Sequence, residues 1–374
     1  MFKFLKPKAY PIGIDLGSSS LKLMQLAQGE DGPVLQAAAK SEVPTEIRKD
    51  PAALQSWYIQ TIRDMLVRKP FKGRRAVTCL PARELLIQHL RVAKMDEAQL
   101  AKALIFEAQD KVPFNIRQAL LRHMVAGEIY EGAESKLEVI LMAASRGVVQ
   151  QHLNLIEKTK IEIDTINVEP CALVNGFAHL LQNSQQKGAT LLIDIGNSCT
   201  KVVACQQERV VFSRIIPIAA DHFREALCQA TGIGPEQAIV ALWNMEEGED
   251  QIAPAAQTAP AATATLVERE TAAAALAPIL QNLVEEIRSC IRYHDLVFGG
   301  DRIIRAIFLG GQSKTTWLCQ KLARGLNLPA QLGDPLARIG ESLTGPHSDI
   351  LPGQRNCEWA VAYGLSMGLV RESS

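Results

Sequence analysis

The chain has 374 residues, 47% of them hydrophobic, which is enough for two domains with separate cores. Its 40 basic and 40 acidic residues give a formal net charge of +0, which argues against a basic surface that binds nucleic acid. Eight scattered cysteines without a Cys-x-x-Cys pair predict reduced thiols rather than disulfides or a metal centre. Residues 1–8 lack the apolar core of a secretory signal and the apolar run 359–370 is too short to cross a bilayer, so we expect a cytoplasmic protein.

The chain opens with apolar residues interleaved with lysines: Phe2, Lys3, Phe4, Leu5, Lys6 and Lys8. A few apolar side chains with adjacent positive charge give weak, reversible attachment to an anionic membrane surface. A frayed terminus without a membrane role is an equal alternative. Peripheral membrane association is therefore a hypothesis about this segment.

The first candidate site is a hairpin near residue 15. An apolar strand ends there in Asp-x-Gly, small polar residues follow, and a second apolar strand begins. Such a turn aims N–H and hydroxyl groups at an anion, and its carboxylate can hold magnesium through water, although an Asp beside Gly more commonly caps the turn. The candidate phosphate-binding residues here are Asp15, Gly17, Ser18, Ser19 and Ser20, with Asp15 also a candidate magnesium ligand.

A compact unit of strands and helices follows at about 75–155. Helical spacing covers 51–68, 98–110 and 145–158, and strand patterns cover 75–92 and 137–144. We expect a separate subdomain, with Arg83 and Arg91 on exposed faces of its strands. The strand that follows ends at Glu169, where a carboxylate can cap the helix that begins near Pro170.

The first hairpin pattern returns in the second half of the chain, which suggests two related domains that close on one phosphate chain. The corresponding candidates are Asp194, Gly196, Asn197, Ser198 and Thr200, with Asp194 as the second candidate magnesium ligand. An Ala/Pro-rich segment at about 245–270 has no apolar period and is expected to be a flexible loop.

A buried-strand pattern then stops at a double glycine, Gly310-Gly311-Gln312, before a helix predicted at 315–326. Glycines at such a junction let a flat ring or a ribose lie directly on the backbone. We expect the base and sugar of a nucleotide at this turn.

These patterns, in this order, resemble the actin-like ATPase superfamily over almost the whole chain. The compact unit at about 75–155, called the insertion below, occupies the position at which FtsA-like proteins carry an extra subdomain. The segments 106–114, 140–153 and 168–173 are similar to the PilM family of type IV pilus assembly proteins. The resemblance implies an α/β, actin-like (ribonuclease H-like) fold of two domains, with limits of about 1–175 and 176–354. It also implies that a C-terminal helix at 355–371 packs back on the first domain.

The resemblance assigns roles to the candidate residues. It implies that ATP and magnesium are the ligands, that Lys22 points at the phosphates, and that Glu169 orients the water that attacks the terminal phosphoryl group. A solvated edge lysine and a helix cap are the alternatives for these two residues. Related chains usually carry a double glycine where this one has Ala219-Ala220, and alanine does not reach the positive-φ geometry of glycine. We therefore expect slow or absent ATP turnover.

The function implied by the resemblance is a nucleotide-binding scaffold at the inner face of the inner membrane. It would bind the cytoplasmic N-terminal segment of a PilN-type membrane protein, and a groove at strands 74–92 is the expected peptide site. Pilus motor ATPases and a second copy of the chain are further possible partners. The alternatives are an ATP-hydrolysing, FtsA-like filament protein and a GspL-like type II secretion component.

Overall fold

The computed structural model describes residues 9–30, 32–182, 187–243, 245, 266–339, 345–351 and 353–368. The predicted membrane cluster at 2–8 and most of the predicted loop at 245–270 lie outside these residues. Within them, no helix combines the length and the apolar character needed to cross a bilayer.

The described strands are β1 (Ile12–Leu16), β2 (Ser20–Gln28), β3 (Pro33–Glu42), β4 (Arg75–Cys79), β5 (Leu86–Ala93), β6 (Ala119–Glu131), β7 (Glu134–Ser145), β8 (Glu162–Asn167), β9 (Ala189–Ile195), β10 (Thr200–Gln206), β11 (Arg209–Ile216), β12 (Ile303–Leu309) and β13 (Ala330–Leu332). The described helices are α1 (Pro51–Arg68), α2 (Glu97–Ala108), α3 (Arg146–Glu157), α4 (Glu169–Gln182), α5 (Ala220–Thr231), α6 (Pro235–Trp243), α7 (Leu266–Val297), α8 (Thr316–Leu326) and α9 (Ala360–Ser366).

Two sheets have the same topology. The first has the order β3-β2-β1-β4-β8 and the second has the order β11-β10-β9-β12-β13. In each, the first three strands in the chain pair antiparallel and the other two join in parallel. The central strands β1 and β9 are buried along their whole length, as expected for continuous apolar runs covered on both faces. The repeated sequence pattern thus corresponds to a repeated sheet.

The insertion forms a third sheet, of order β5-β7-β6, with α2 against one face. This sheet covers a shorter part of the chain than the insertion predicted at about 75–155. β4 pairs in parallel with β1 and β8, which places it in the first sheet, and α3 packs against α1 and β8. The insertion sheet therefore spans 86–145.

The helix near the C-terminus is shorter than the predicted 355–371. α9 begins at Ala360, after a short 3₁₀ turn at Cys357–Trp359, and ends at Ser366. It packs against β1, β2 and α4, so this part of the chain returns to the first sheet.

Candidate functional site

A cleft of about 1000 Å³ is lined by loops from both large sheets. Its lining includes the following predicted residues: Asp15, Gly17, Ser18, Ser19, Ser20 and Lys22 of the first hairpin, Asp194, Gly196, Asn197 and Ser198 of the second, Glu169, and Gly310, Gly311 and Gln312. Thr200 is the exception among the predicted residues. Its side chain is fully buried and its hydroxyl donates a hydrogen bond to Ile218 O at 2.6 Å, so it does not line the cleft and its role in ligand binding stays a prediction.

The two hairpins carry matched ion pairs. Asp15 stands opposite Lys22 in the β1–β2 register, and Asp194 stands opposite Lys201 in the β9–β10 register. Directly opposed residues point to the same face of a sheet, so each carboxylate meets its lysine, at 3.2 Å in the first hairpin and 2.7 Å in the second. The two turns also meet, because Ser18 Oγ lies 3.3 Å from Ser198 Oγ. Both hairpins therefore face one site.

Lys201 is the site residue that the sequence analysis missed. Its Nζ lies 2.7 Å from Asp194 Oδ2 and 2.7 Å from Glu169 Oε2, which joins the second hairpin to the start of α4. Burial opposes the charge of this lysine, but the two carboxylates outweigh it and raise its pKa well above the usual value. Lys201 follows Asp194 by 7 residues, as Lys22 follows Asp15. This matched spacing could have identified Lys201 from the sequence.

Glu169 lies in the first turn of α4 and is buried. Burial raises the pKa of its carboxyl group, and the nearby carboxylates of Asp194 and Asp15 add to this effect, while Lys201 opposes it. Its Oε2 has an ion-pair contact with Lys201 but no aligned hydrogen-bond donor. The position is compatible with both a helix cap and a group that faces a ligand, so the catalytic role stays a prediction.

The double-glycine turn packs directly on the second hairpin. Gly310 has φ +85°, and a Cβ atom added there would collide with Asp194 Oδ1 and Ile195 O. Its N–H donates a hydrogen bond to Cys357 O at 3.1 Å. Only glycine combines this backbone conformation with this close approach.

The start of α5 does not need glycine at positions 219 and 220. Ala219 has φ −164°, an extended conformation that any residue adopts. The N–H groups of Ala220 and Asp221 donate hydrogen bonds to Gly196 O at 3.3 Å and Asn197 O at 2.9 Å. Ala220 and Asp221 therefore tie the start of α5 to the second hairpin, and Ala219 needs no positive φ, so the objection to turnover that rests on positive φ does not hold.

Further side chains line the cleft without having been predicted: Lys40, Tyr58, Arg83, Lys314 and Glu358. Tyr58 donates a hydrogen bond to Gly17 O at 3.0 Å, and burial raises its pKa to about 12. Arg83 lies in a short 3₁₀ turn at Ala82–Glu84 and not on a strand, contrary to expectation. These residues come from separate parts of the chain and carry no shared sequence pattern.

The residues present fit a phosphate chain with magnesium. Two lysines can neutralise phosphate oxygens, and carboxylate oxygen is the donor that magnesium prefers. In the part of the chain that the structure describes, no group of three or more His, Cys, Asp or Glu side chains could hold a metal ion by itself. A magnesium ion bound with phosphates needs only one or two carboxylates, often through water, and Asp15 and Asp194 could supply them.

The chain is similar to known proteins over almost its whole length. The family model for the type IV pilus assembly protein PilM matches residues 13–369. A solved structure described as a PilM-PilN type IV pilus biogenesis complex is similar, with a TM-score of 0.74 and 21% identity, covering 96% of this chain and 98% of that chain. The ethanolamine utilization protein EutJ from Carboxydothermus hydrogenoformans has a TM-score of 0.53 and 12% identity, covering 97% of this chain and 90% of that chain. The chain therefore has the actin-like ATPase fold and belongs to the PilM family of type IV pilus assembly proteins.

Proposed function

We propose that this chain is a cytoplasmic scaffold of the type IV pilus platform at the inner membrane, which binds Mg-ATP in the cleft and captures a PilN-type partner. The observation that carries the nucleotide part is the convergence of two Asp–Lys hairpins and the Gly310 turn on one cleft. In this proposal ATP acts as a ligand that holds the two domains together. Lys22 and Lys201 face its phosphates, and Asp15 and Asp194 hold magnesium through water.

Calorimetric titration and thermal unfolding with Mg-ATP test the nucleotide site. Ligand at about 100 times its dissociation constant is expected to stabilise the protein by about 2.7 kcal/mol. The variant with Asp15→Asn and Asp194→Asn keeps the side-chain shapes and is expected to lose this effect. Asp110→Asn, an exposed carboxylate just after α2, is the matched control. Absence of both heat and thermal shift in the unmodified protein would refute the proposal.

We propose slow or absent hydrolysis for a reason other than the alanines. Burial favours the neutral form of Glu169, and Lys201 lies against the same carboxyl group. A neutral or ion-paired carboxyl group is a poor proton acceptor for water. Phosphate release at about 1 per second or faster, the ordinary range for enzymes, would overturn this part and favour an ATP-hydrolysing, filament-forming protein.

The partner proposal draws on the family and on the shape of the cleft. The similar solved structure is a complex of PilM with PilN. The cleft of this chain extends beyond the hairpins, where residues of α1, α3 and the turn at 80–84 line it, including Leu54, Leu80 and Val148. Polar side chains such as Arg83 and Gln151 also line this extension, and an extended peptide fits it with its apolar side chains against Leu54, Leu80 and Val148. We propose that the N-terminal segment of a PilN-type protein binds there.

A peptide with the cytoplasmic N-terminal sequence of a PilN-type protein tests this site by titration. Val148→Glu places a charge among the apolar side chains of this extension and is expected to weaken peptide binding at least tenfold, with Mg-ATP affinity unchanged. Gln150→Glu, exposed on the same helix, is the control. Unchanged peptide affinity in Val148→Glu would place the partner elsewhere.

Motor ATPases, membrane attachment and self-association remain secondary parts of the proposal, for which co-purification, liposome flotation and sedimentation are the tests.

A further inference from the structure

The turns of the two hairpins have the same shape. Gly17 and Gly196 occupy the same place in the two Asp-x-Gly patterns. A Cβ atom added to Gly17 would lie 2.7 Å from Ser20 O, and one added to Gly196 would lie 2.9 Å from Cys199 O. Both turns therefore bend back equally tightly, and the duplication of the sheets extends to this detail.

The carbonyl oxygens of the two glycines are held by different kinds of donor. Gly196 O accepts a hydrogen bond at 3.3 Å from the backbone N–H of Ala220, the first residue of α5. Gly17 O accepts a hydrogen bond at 3.0 Å from Tyr58 Oη, which belongs to α1. At this position the first hairpin thus has one side-chain hydroxyl where the second hairpin has a backbone donor.

The start of each helix explains the difference. α5 begins soon after β11, so that the free N–H groups of its first turn reach the second hairpin. α1 begins with Pro51, which has no N–H group, and the side chain of Asp50 accepts hydrogen bonds from the N–H groups of Ala52 and Ala53. These three residues therefore offer no donor to the first hairpin, and a side chain further along α1 takes that place.

Tyr58 is held firmly in this position. Its side chain is buried in the core of the first domain, together with Ile14, Leu54 and Ile62. Burial, with the nearby carboxylate of Asp15, raises its pKa to about 12, so the hydroxyl stays a hydrogen-bond donor at neutral pH. The packed ring fixes the hydroxyl against the turn.

We propose that the Tyr58 hydroxyl positions the first hairpin for the terminal phosphate of ATP and thereby sets a preference for ATP over ADP. This inference rests on the proposed function, because it concerns the same nucleotide site. The Gly310 turn packs on Asp194 and Ile195, so a nucleoside on that turn lies beside the second hairpin. Its phosphate chain then extends towards the first hairpin, which belongs to the other sheet. Tyr58 acts through the turn and is a positioning residue.

Calorimetric titration of Mg-ATP and Mg-ADP tests this role. Tyr58→Phe keeps the packed ring and removes only the hydroxyl. We expect this variant to lower the ratio of ATP affinity to ADP affinity about fivefold, as befits one hydrogen bond, mainly through weaker ATP binding. A purely structural role for Tyr58 would weaken both ligands alike. Tyr363→Phe removes the hydroxyl of a buried tyrosine that does not line the cleft, and it is expected to keep the ratio of the unmodified protein.

Ala220→Pro is the matched change in the second hairpin. It removes the N–H group that bonds to Gly196 O, and proline is tolerated at the first position of a helix. The extended conformation of Ala219, with φ −164° and ψ −162°, is compatible with a following proline. We expect this variant to weaken ATP and ADP by the same factor, because the second hairpin lies beside the nucleoside end of the ligand.

Hydrogen exchange of the unmodified protein gives an independent measurement. ATP is expected to slow exchange of the amides at 17–20 more than ADP does, and Tyr58→Phe to remove this difference. An unchanged affinity ratio in Tyr58→Phe, an equal loss of both ligands in that variant, or equal protection of these amides by ATP and ADP in the unmodified protein would overturn the inference. Failure of the unmodified protein to bind Mg-ATP would instead count against the proposed function.

Discussion

At the scale of single residues, Lys201 makes two of the ion pairs in the cleft. It is the cation within 2.7 Å of both Asp194 and Glu169, and all three side chains are largely buried. Removing one partner of a buried ion pair leaves an uncompensated charge, which typically costs about 3 to 5 kcal/mol. Loss of this side chain is therefore expected to destabilise the second hairpin.

We predict that Lys201→Met lowers the free energy of unfolding by about 3 kcal/mol and weakens Mg-ATP binding. Urea unfolding and calorimetry measure the two effects. Lys102→Met, an exposed lysine on α2, is expected to change neither. Adding Glu169→Gln to Lys201→Met is expected to recover part of the stability, because it removes one of the two buried carboxylates. No recovery in the double variant would show that Glu169 is not coupled to Lys201.

His152 gives a pH prediction. Its side chain is buried on α3, with Nε2 3.2 Å from Thr78 Oγ1, and burial lowers its pKa from 6.5 to about 4. A lowered pKa means that the unfolded chain binds the proton more tightly, so the stabilisation is present above pH 6.5 and is lost as the pH falls through 4. This loss amounts to about 3 kcal/mol at 1.36 kcal/mol per pKa unit.

We therefore predict that His152→Gln reduces the drop in unfolding free energy between pH 7 and pH 4 by about 3 kcal/mol. Urea midpoints of both proteins, measured over this pH range, give the comparison. Other groups titrate equally in the two proteins and cancel. Parallel pH curves would mean that His152 does not titrate differently in the folded state.

At the scale of elements, the site depends on how the turn after β12 packs against β9. Gly310 and Gly311 are adjacent, but they differ in their surroundings. A Cβ at Gly310 would collide with the second hairpin, whereas a Cβ at Gly311 would meet no protein atom within 4 Å. Substitution of each glycine in turn therefore distinguishes a requirement of packing at Gly310 from a general preference for glycine in this turn.

We predict that Gly310→Ala lowers the free energy of unfolding by about 2 kcal/mol or more, because strain at positive φ adds to the collision. Gly311→Ala is expected to change it by less than about 1 kcal/mol. Chemical denaturation of the two variants makes the comparison. Equal free energies of unfolding for the two variants would show that the turn can relax at little cost. The close contact with Asp194 would then not require glycine at position 310.

At the scale of the whole molecule, one carboxylate ties the two large sheets together. Glu358, just before α9, lies 2.7 Å from Lys40 of β3 and 2.5 Å from Lys314 after β12. Burial opposes its charge, but the two lysines hold its pKa below the usual value. Lys40 also contacts Glu42 at 2.7 Å, but that carboxylate is 63% exposed.

We predict that Glu358→Gln loosens the connection between the sheets and costs about 2 kcal/mol, the range for hydrogen bonds to charged groups. Glu42→Gln is expected to cost less than about 1 kcal/mol, because the exposed pair is solvated. Limited proteolysis and urea unfolding of both variants test this difference. An equal loss of unfolding free energy in Glu42→Gln and Glu358→Gln would show that neutralising the charge of Lys40 contributes the stability, and that the bridge between the sheets does not.

Local sequence patterns predict most of the helices and strands and most of the residues that line the cleft. α1 begins and ends at the predicted residues 51 and 68, where Asp50 caps the first turn with bonds to the N–H groups of Ala52 and Ala53. The two hairpins and the double glycine were predicted as one site and line one cleft. The sequence does not show that the hydroxyl of Thr200 bonds to Ile218 O, because a hydroxyl in a turn has the same sequence pattern whether it faces a ligand or a carbonyl group.

The sequence by itself determined the duplication and the hairpin residues, because strand alternation, Asp-x-Gly turns and glycine pairs are local properties of the chain, and the fold family followed from the resemblance that these motifs carry. Only the tertiary structure decided what these residues contact. The ion pair of Lys201 with Glu169, the bridge through Glu358 and the hydrogen bond of Tyr293 to Glu138 join residues far apart in sequence. Burial and opposed charge create such contacts only after the sheets have packed, and no local spacing encodes them.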